Sequence, residues 1–472
     1  VMEKEDRVYS SVEELIAQAN SGIGIPFGVL DKTGRIEKIS NKGKLGQIIE
    51  EALFDIKIND RAESDIPNLG IELKTTPYKR LKNGSISAKE RLVLCIINYM
   101  TENWDNFYET HVWDKCQKML LLFYDGTLDG RFPKDYTLSS NYMFKWIDED
   151  MPTILDDFNR ISNKVKKGQA ELLSESDGRY LSTCTKGQGH GKDMRNQPYS
   201  DKVAPQRAWE LKPAYMTYIL RNYVFNKNEI ESIIKNAQNK PFTEIIKEQI
   251  ESFKGLDKET LFKKFDVNPR SKQANNTLIR KILGINTDVD KTAEFQKANM
   301  NLRVIQIKHN GMPKEDSPFK QYEFKNIVTE SWEDSQMKNE ICDKMFMYVF
   351  FKAYDSNNTK YCLDKVLFWG FPESLIPEAK RVWKETIEII KNGVVLTEYK
   401  NTVQTNFPTS KINNVIFTKI HAKNTLYEFQ KGKFVGKGNL SDTSQLPDGR
   451  HITKHSFWFP KKFVKRIYDE NI

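Results

Sequence analysis

Short motifs in the first half of this 472-residue chain return in the second half, in the same order and at a near-constant offset of about 225 to 230 residues. Thr101-Glu-Asn-Trp104 returns as Thr329-Glu-Ser-Trp332, and each copy precedes a hydrophobic run, Lys118–Tyr124 in the first half and Lys344–Phe351 in the second. Tyr142-Met-Phe-Lys-Trp146, with Pro152, Phe158 and Gly168 after it, is echoed by Leu367-Phe-Trp-Gly-Phe371 with Pro377, Trp383 and Gly393. Both copies read strand, helix and glycine stop, since a glycine just past a helical run ends it. Repetition of this kind favours a duplicated domain, and the length suits two or three domains with cores of their own. The expectation is α/β throughout, with mixed sheets: a first domain over residues 1–225, a polar Asn/Lys-rich linker over 226–241, and a second domain over 242–472. Residues 242–285 read as mainly helical, broken at Pro269, and Ser10-Ser-Val-Glu-Glu14 resembles a capping box opening an N-terminal helix.

The chemistry concentrates in Asp65-Ile-Pro-Asn-Leu-Gly-Ile-Glu72-Leu-Lys74. Strand alternation sends Glu72 and Lys74 to one face and Ile71 and Leu73 to the other. The Pro-Asn turn and Gly70 let the chain fold back, bringing the Asp65 carboxylate beside Glu72. Two carboxylates so placed suit Mg²⁺, which takes one or two protein acids when a phosphate supplies further oxygens. Lys74 is then positioned to orient or deprotonate a water. Upstream, Leu45, Ile48, Ile49, Ala52 and Leu53 lie at helical spacing with Glu50 and Glu51 on the flanks, and either acid suits the same metal. Arg91–Met100 and Lys118–Tyr124 read as buried strands, with Lys115 at the start of the second.

Lys plus Arg number 73 against 64 Asp plus Glu, a net charge of +9 that suits a polyanionic partner without proving one. No apolar run approaches the roughly 20 residues of a membrane span, and the N-terminus lacks a basic-then-apolar leader. The expectation is a soluble intracellular protein. Cys95, Cys116, Cys184, Cys342 and Cys362 show no CxxC spacing, which argues against zinc and against a disulfide framework.

Several motifs together carry a resemblance: Lys42-Gly-(x)6-Glu50, Asp65-(x)6-Glu72-Leu-Lys74-(x)2-Pro77, Lys82-Asn-Gly-(x)4-Lys89-Glu, His111-Val-Trp-Asp-Lys115, Cys184-Thr-Lys-Gly187 and Arg195-Asn-Gln-Pro-Tyr-Ser200. In these the chain resembles the MutH-like branch of the PD-(D/E)xK nucleases, and within it the tandem-domain Type II restriction endonucleases that cut GATC. The likeness spans essentially the whole chain and is strongest between residues 40 and 225. It implies two tandem MutH-like restriction-endonuclease folds, the second catalytically degenerate. It further implies Asp65 and Glu72 as metal ligands, Lys74 as the water-positioning lysine, Lys115 as a second catalytic lysine, Glu50 as the helix acid and Lys42 as a DNA contact. The implied cofactor is Mg²⁺. The implied partner is double-stranded DNA containing GATC, cut on both strands before the guanine by a protein of the bacterial cytoplasm. A monomer in solution is expected, with dimerisation or looping on DNA.

Sequence readout needs donors at base edges, and the glycine-rich segment Thr183–Gln197 supplies them. Lys186 aligns with a base-contacting lysine of the family, while Arg195 and Asn196, or Gln197, are placed by their chemistry. In the second half, the repeat offset sets Arg280 where Glu50 stands and Arg303 where Glu72 stands, with no acid equivalent to Asp65. Arginines in place of carboxylates suit phosphate and not Mg²⁺. The second half is therefore expected to bind effector DNA without cutting it, with His421, Lys423 and Lys454 as candidate contacts. His421-Ala-Lys423 and the segment from Lys454 take places comparable to Thr185-Lys186 and the segment from Lys212. Two alternatives carry the same catalytic motif or fold: a methyl-directed mismatch-repair nickase and a non-cleaving DNA-binding regulator.

Overall fold

The computed structural model describes residues 6–37, 43–58, 63–81, 83–127, 130–187, 193–225, 229–235, 239–400 and 402–471. Two compact units divide the chain, but the division is not a single cut. The first takes Val1–Ile245 and Lys291–Asn299, and the second takes Ile246–Asp290 and Met300–Ile472. The sequence-based boundary at 226–241 misses the segment 291–299, which fills the first unit for a chemical reason. Lys297 Nζ lies 2.6 Å from Asp150 Oδ1, both side chains are buried, and the Tyr215 hydroxyl donates to the other Asp150 oxygen at 2.9 Å. Glu294 accepts from the backbone amides of Ile233 and Ile234 and from the Ser232 hydroxyl.

In the first unit a four-stranded mixed sheet runs in the order β2 (Ile86–Ala88), β1 (Glu72–Arg80), β4 (Lys118–Asp125), β5 (Leu138–Lys145). β1 and β4 are parallel, in the register Glu72↔Met119 and Lys74↔Leu121, and β4 pairs antiparallel with β5. Leu120, Leu122, Ile71 and Leu73 pack on one face against Leu15, Ile48, Ile49 and Leu53. A second sheet, β3 (Leu92–Ile96), β9 (Arg207–Leu211), β6 (Leu181–Thr185), carries between its last two strands a projecting ribbon, β7 (Met194–Gln197) and β8 (Ser200–Pro205). The N-terminal helix Val12–Ser21 starts where the sequence places it. Ser11 caps Glu14 N, but the Glu14 carboxylate reaches back to Ser10 N, one residue before the reciprocal partner.

The second unit repeats this plan. Its sheet β10 (Met300–Ile307), β12 (Met345–Ala353), β13 (Tyr361–Gly370) again pairs a parallel and an antiparallel neighbour around a central strand. Both central strands carry a register shift at the matching point, between Phe123 and Tyr124 and between Phe350 and Phe351. The strand after each leads into a long amphipathic helix with proline in its first turn, Met151–Lys166 and Ile376–Asn392, and the terminating glycines Gly168 and Gly393 both have positive φ. The second three-stranded sheet, β11 (Ser317–Tyr322), β21 (His455–Phe459), β16 (Phe417–Ile420), matches β3-β9-β6. Between β16 and β21 the chain inserts β17 (Leu426–Gln430), β18 (Lys433–Gly436), β19 (Thr443–Gln445) and β20 (His451–Thr453). A hairpin of β14 (Leu396–Tyr399) and β15 (Thr402–Thr405) completes the strands.

All five cysteines are free thiols. Among the described residues no helix is long and apolar enough to cross a membrane.

Candidate active site

Gly70 makes the fold-back at the head of β1 work. It sits at φ +64°, a region open to glycine, and the turn it closes lets Ile66 N donate to Ile71 O at 2.9 Å. The chain thus returns with Asp65 beside β1. Leu73 N donates to Asp65 Oδ2 at 2.9 Å, and Asp65 N donates to Glu72 Oε2 at 3.2 Å. Lys74 shares the face of Glu72, as alternation requires, and its ammonium lies 2.7 Å from Glu72 Oε1. Lys115, in the last turn of the helix His111–Cys116, reaches the same oxygen at 3.7 Å. One strand end, one turn and one helix end therefore gather Asp65, Glu72, Lys74 and Lys115.

Helix Lys44–Ile48 continues as a π-turn over Ile49–Leu53, and that turn decides between the two acids the sequence left open. Glu51 is taken by Arg35 in a two-pronged ion pair at 2.7 and 2.6 Å. Glu50 instead lies in the field of Asp65, Lys74, Glu72 and Lys115. Burial, aided by repulsion from Asp65 and Glu72, pushes its carboxyl up to about 7. Burial also raises Glu72, against the pull of Lys74. Burial opposes the charge on Lys74, yet the Glu72 carboxylate outweighs it and holds the ammonium above its ordinary range. A lysine so held keeps its proton and is a poor base.

Among the described residues no three His, Cys, Asp or Glu side chains close on one point, and the lysine ammoniums stand against Glu72 instead. The donor set still fits a hard divalent cation: burial first, and then repulsion from Asp65 and Glu72, pushes the Glu50 carboxyl up to about 7, and added positive charge would relieve that repulsion. A stability test follows from the sign of that shift. A carboxyl whose folded pKa exceeds its unfolded value of 4.5 favours the fold fully below pH 4.5, and loses that contribution as pH rises through 7. Metal-free Glu50→Gln should match the parent near pH 4.5 and exceed it at pH 8 by up to about 3 kcal/mol, at 1.36 kcal/mol per pKa unit. Urea unfolding at both pH values in chelator reads this, and a difference independent of pH would refute it.

The recognition candidates separate. Lys42 and residues 188–192 lie outside the described residues. Lys186 follows β6, where its amide donates to Gln206 O at 2.8 Å. Arg195 and Asn196 are exposed on the ribbon, and a register shift between Arg195 and Gln197 leaves Asn196 out of the ladder. Gln197 is unsuited to reading bases: it is buried, accepting from Ala170 N and donating to Glu171 and Lys202 O.

Strand register corrects the projection onto the second unit. Phe144 and Trp369 are the same step of the echoed motif, and they pair with Met119 and Phe346. Met119 in turn faces Glu72, while Phe346 faces Asn301. Asn301 therefore stands at the place of Glu72, and Arg303 at the place of Lys74. The acid matching Asp65 exists after all: Asp290 Oδ1 accepts from Leu302 N at 2.7 Å, as Asp65 accepts from Leu73 N. A fixed offset missed it because the connection from acid to strand is longer in the second copy. Asn301 Nδ2 donates to Asp290 Oδ2 at 2.6 Å, closing the centre with an amide. Arg303 is not a phosphate claw: it packs over Phe319 and Phe346 and donates to Pro318 O. Arg280 lies in the last turn of the helix Ala274–Ile282, but the backbone bonds that close the two helices differ, spanning five residues from the Arg280 carbonyl and six from that of Glu50, so they do not set Arg280 on Glu50.

His421 N donates to Lys454 O at 3.0 Å, repeating the Lys186–Gln206 bond. Lys454 is thus the counterpart of Gln206, and not of Lys212, whose place at the head of a terminal helix is taken by Pro460. The His421 ring packs edge-on to Trp458 and meets the Ser456 hydroxyl, and Lys423 is exposed.

A family model described as DNA mismatch repair enzyme MutH matches residues 54–157 and again 283–381. The two matches cover the first sheet of each unit. The Type II restriction enzyme Sau3AI of Staphylococcus aureus is 29% identical across 94% of this chain and 95% of its own length. The DNA mismatch repair protein MutH of Shewanella woodyi is 29% identical across 38% of this chain and 76% of its own length. With the same family model matched once in each unit and one relative aligned nearly end to end, the chain is similar to tandem MutH-like endonucleases, a likeness that supports a site-specific deoxyribonuclease.

Proposed function

We propose that this protein is an Mg²⁺-dependent Type II restriction endonuclease that cuts both strands of duplex DNA 5′ of the guanine in GATC, and that its second unit binds a further copy of the site without cutting. The observation that carries this reading is the contrast between the two centres: Asp65, Glu72, Glu50, Lys74 and Lys115 in the first, against Asp290, Asn301 and Arg303 at the steps of Asp65, Glu72 and Lys74 in the second. Near-complete alignment with a Type II restriction enzyme supports the class.

Asp65 and Glu72 would hold the cation, with Glu50 beside them. Bound there, Mg²⁺ supplies Lewis acidity toward a phosphate oxygen and lowers the pKa of water. Lys74, kept charged by Glu72, orients the attacking water for in-line displacement. Lys115, anchored by the helix end, stabilises charge building on the phosphate oxygens. Arg195 and Asn196 on the exposed ribbon, with Lys186 at its base, read the bases, and Lys42 contacts the backbone. In the second unit His421 and Lys454, joined by their backbone bond, and exposed Lys423 form the base of the effector contact. The protein acts in the bacterial cytoplasm as a monomer that bridges two sites on DNA.

Plasmid carrying several GATC sites, incubated with the full chain and Mg²⁺, should give linear fragments with 5′-GATC overhangs. Nicked circles alone would favour the mismatch-repair reading, which the second relative also represents, and intact plasmid would favour a non-cleaving regulator. Lys186→Ala should weaken discrimination of GATC from single-base variants by about 1–3 kcal/mol, roughly ten- to a hundredfold in relative cleavage. Unchanged ratios across a panel of variant sites would remove Lys186 from the readout.

A further inference from the structure

We propose that the β17–β18 ribbon is the element with which the second unit enters a groove of its DNA; this rests on the reading that the second unit binds a duplex. The strands β6 and β9 in the first unit correspond to β16 and β21 in the second, in matching antiparallel registers, Thr185↔Arg207 and Ile420↔His455. Each pair is bridged at the base of its insertion by the same backbone bond, from Lys186 or His421. In the first unit the inserted ribbon carries Arg195 and Asn196. The corresponding insertion of the second unit opens with β17–β18, so topology sets this ribbon in the corresponding place. No candidate drawn from motif spacing falls on it.

Its side chains fit a polyanion. Lys431, Lys433 and Lys437 are exposed around the turn and along β18, and Phe434 between them is 40% exposed. The acid of the ribbon does not cancel them outward: Glu428 accepts from Gly432 N at 2.8 Å and His451 N at 2.9 Å, and these amides hold its carboxyl below the usual range. One carboxylate therefore fixes the turn while the ammoniums face solvent. β17 is also held on its other edge, through Tyr427↔Ile452, so the ribbon is mounted on a sheet. Gly436 lies at φ +128°, and a Cβ there would stand 2.0 Å from Thr425 O, so the strand exit that sets the projection requires glycine. A two-stranded ribbon fits the major groove, about 12 Å wide, where lysines meet phosphates and guanine edges and an aromatic ring meets the thymine methyl.

The test uses the full chain with Glu72→Ala to suppress cleavage, and a labelled duplex bearing one GATC. The Glu72→Ala parent should bind two duplexes. With Lys431→Ala, Lys433→Ala and Lys437→Ala added, one duplex should bind as before. The second should bind at least tenfold more weakly at moderate salt, with its log-log salt slope reduced by about 2 to 3, at about 0.9 per phosphate contact. Arginine at the same three positions should restore both values, which a folding defect would not allow. Second-site affinity and slope unchanged in the alanine variant would overturn the ribbon proposal and leave the effector reading standing. A parent that binds a single duplex would overturn the effector reading, and the ribbon proposal with it.

Discussion

Glu72→Ala should lower the single-turnover rate of GATC cleavage by about 10³-fold or more while DNA binding persists. Glu72 is the hub of the first centre: it accepts from Lys74 and from the Asp65 amide, and faces Lys115. Its loss removes a proposed ligand and frees both ammoniums from their common anchor. Lewis-acid stabilisation is worth several kcal/mol, and each 1.36 kcal/mol is tenfold in rate. Binding should hold or tighten, because the change removes negative charge from the centre proposed to meet phosphate. Glu72→Gln separates chemistry from folding. The glutamine oxygen can still accept from the Asp65 amide, so the turn should survive while cation affinity falls with the lost charge. Glutamine that cleaves within tenfold of the parent would sink the metal assignment.

Lys297→Ala should destabilise the first unit by about 3–5 kcal/mol, the usual result of leaving one partner of a buried ion pair uncompensated. Asp150 would keep only the Tyr215 hydroxyl. Burial already pushes its carboxyl up, against the pull of Lys297, so it would be protonated or hydrated at the cost of packing. The ammonium also lies 4.8 Å from the centre of the Tyr218 ring, which alanine would leave uncovered. Calorimetry of the full chain should show the transition of the first unit move down while that of the second stays. Adding Asp150→Asn to Lys297→Ala should recover part of the loss, since it removes the stranded charge. A Lys297→Ala transition within about 1 kcal/mol of the parent would refute the account.

Local pattern carried the parts of the fold that are local. Alternation put Glu72 and Lys74 on one face, the Pro-Asn-Leu-Gly turn returned Asp65 to them, and the glycine stops ended both long helices. What stayed hidden depends on partners distant in sequence. Glu50 and Glu51 look alike until Arg35 claims one of them. Arg303 reads as a phosphate ligand until Phe319 and Phe346 close around it. Asp290 escaped because its connection to the strand contains the helix Ala293–Lys297, which belongs to the first unit and stretches the spacing. Register between strands, which no single segment encodes, was needed to exchange Glu72 for Asn301 and Lys74 for Arg303.

The nine residues 291–299 also have a consequence in time. A ribosome that has finished residue 245 has not yet released everything the first unit requires, because Lys297 is still to come. Chains generally mature from the N-terminus as synthesis proceeds. Here the partner of Asp150 arrives only after the first 45 residues of the other half, Ile246–Asp290, have been made. A gene fragment stopped at 240 should therefore yield a first unit that lacks a piece of its own interior, and the two halves should resist exchange as interchangeable cassettes.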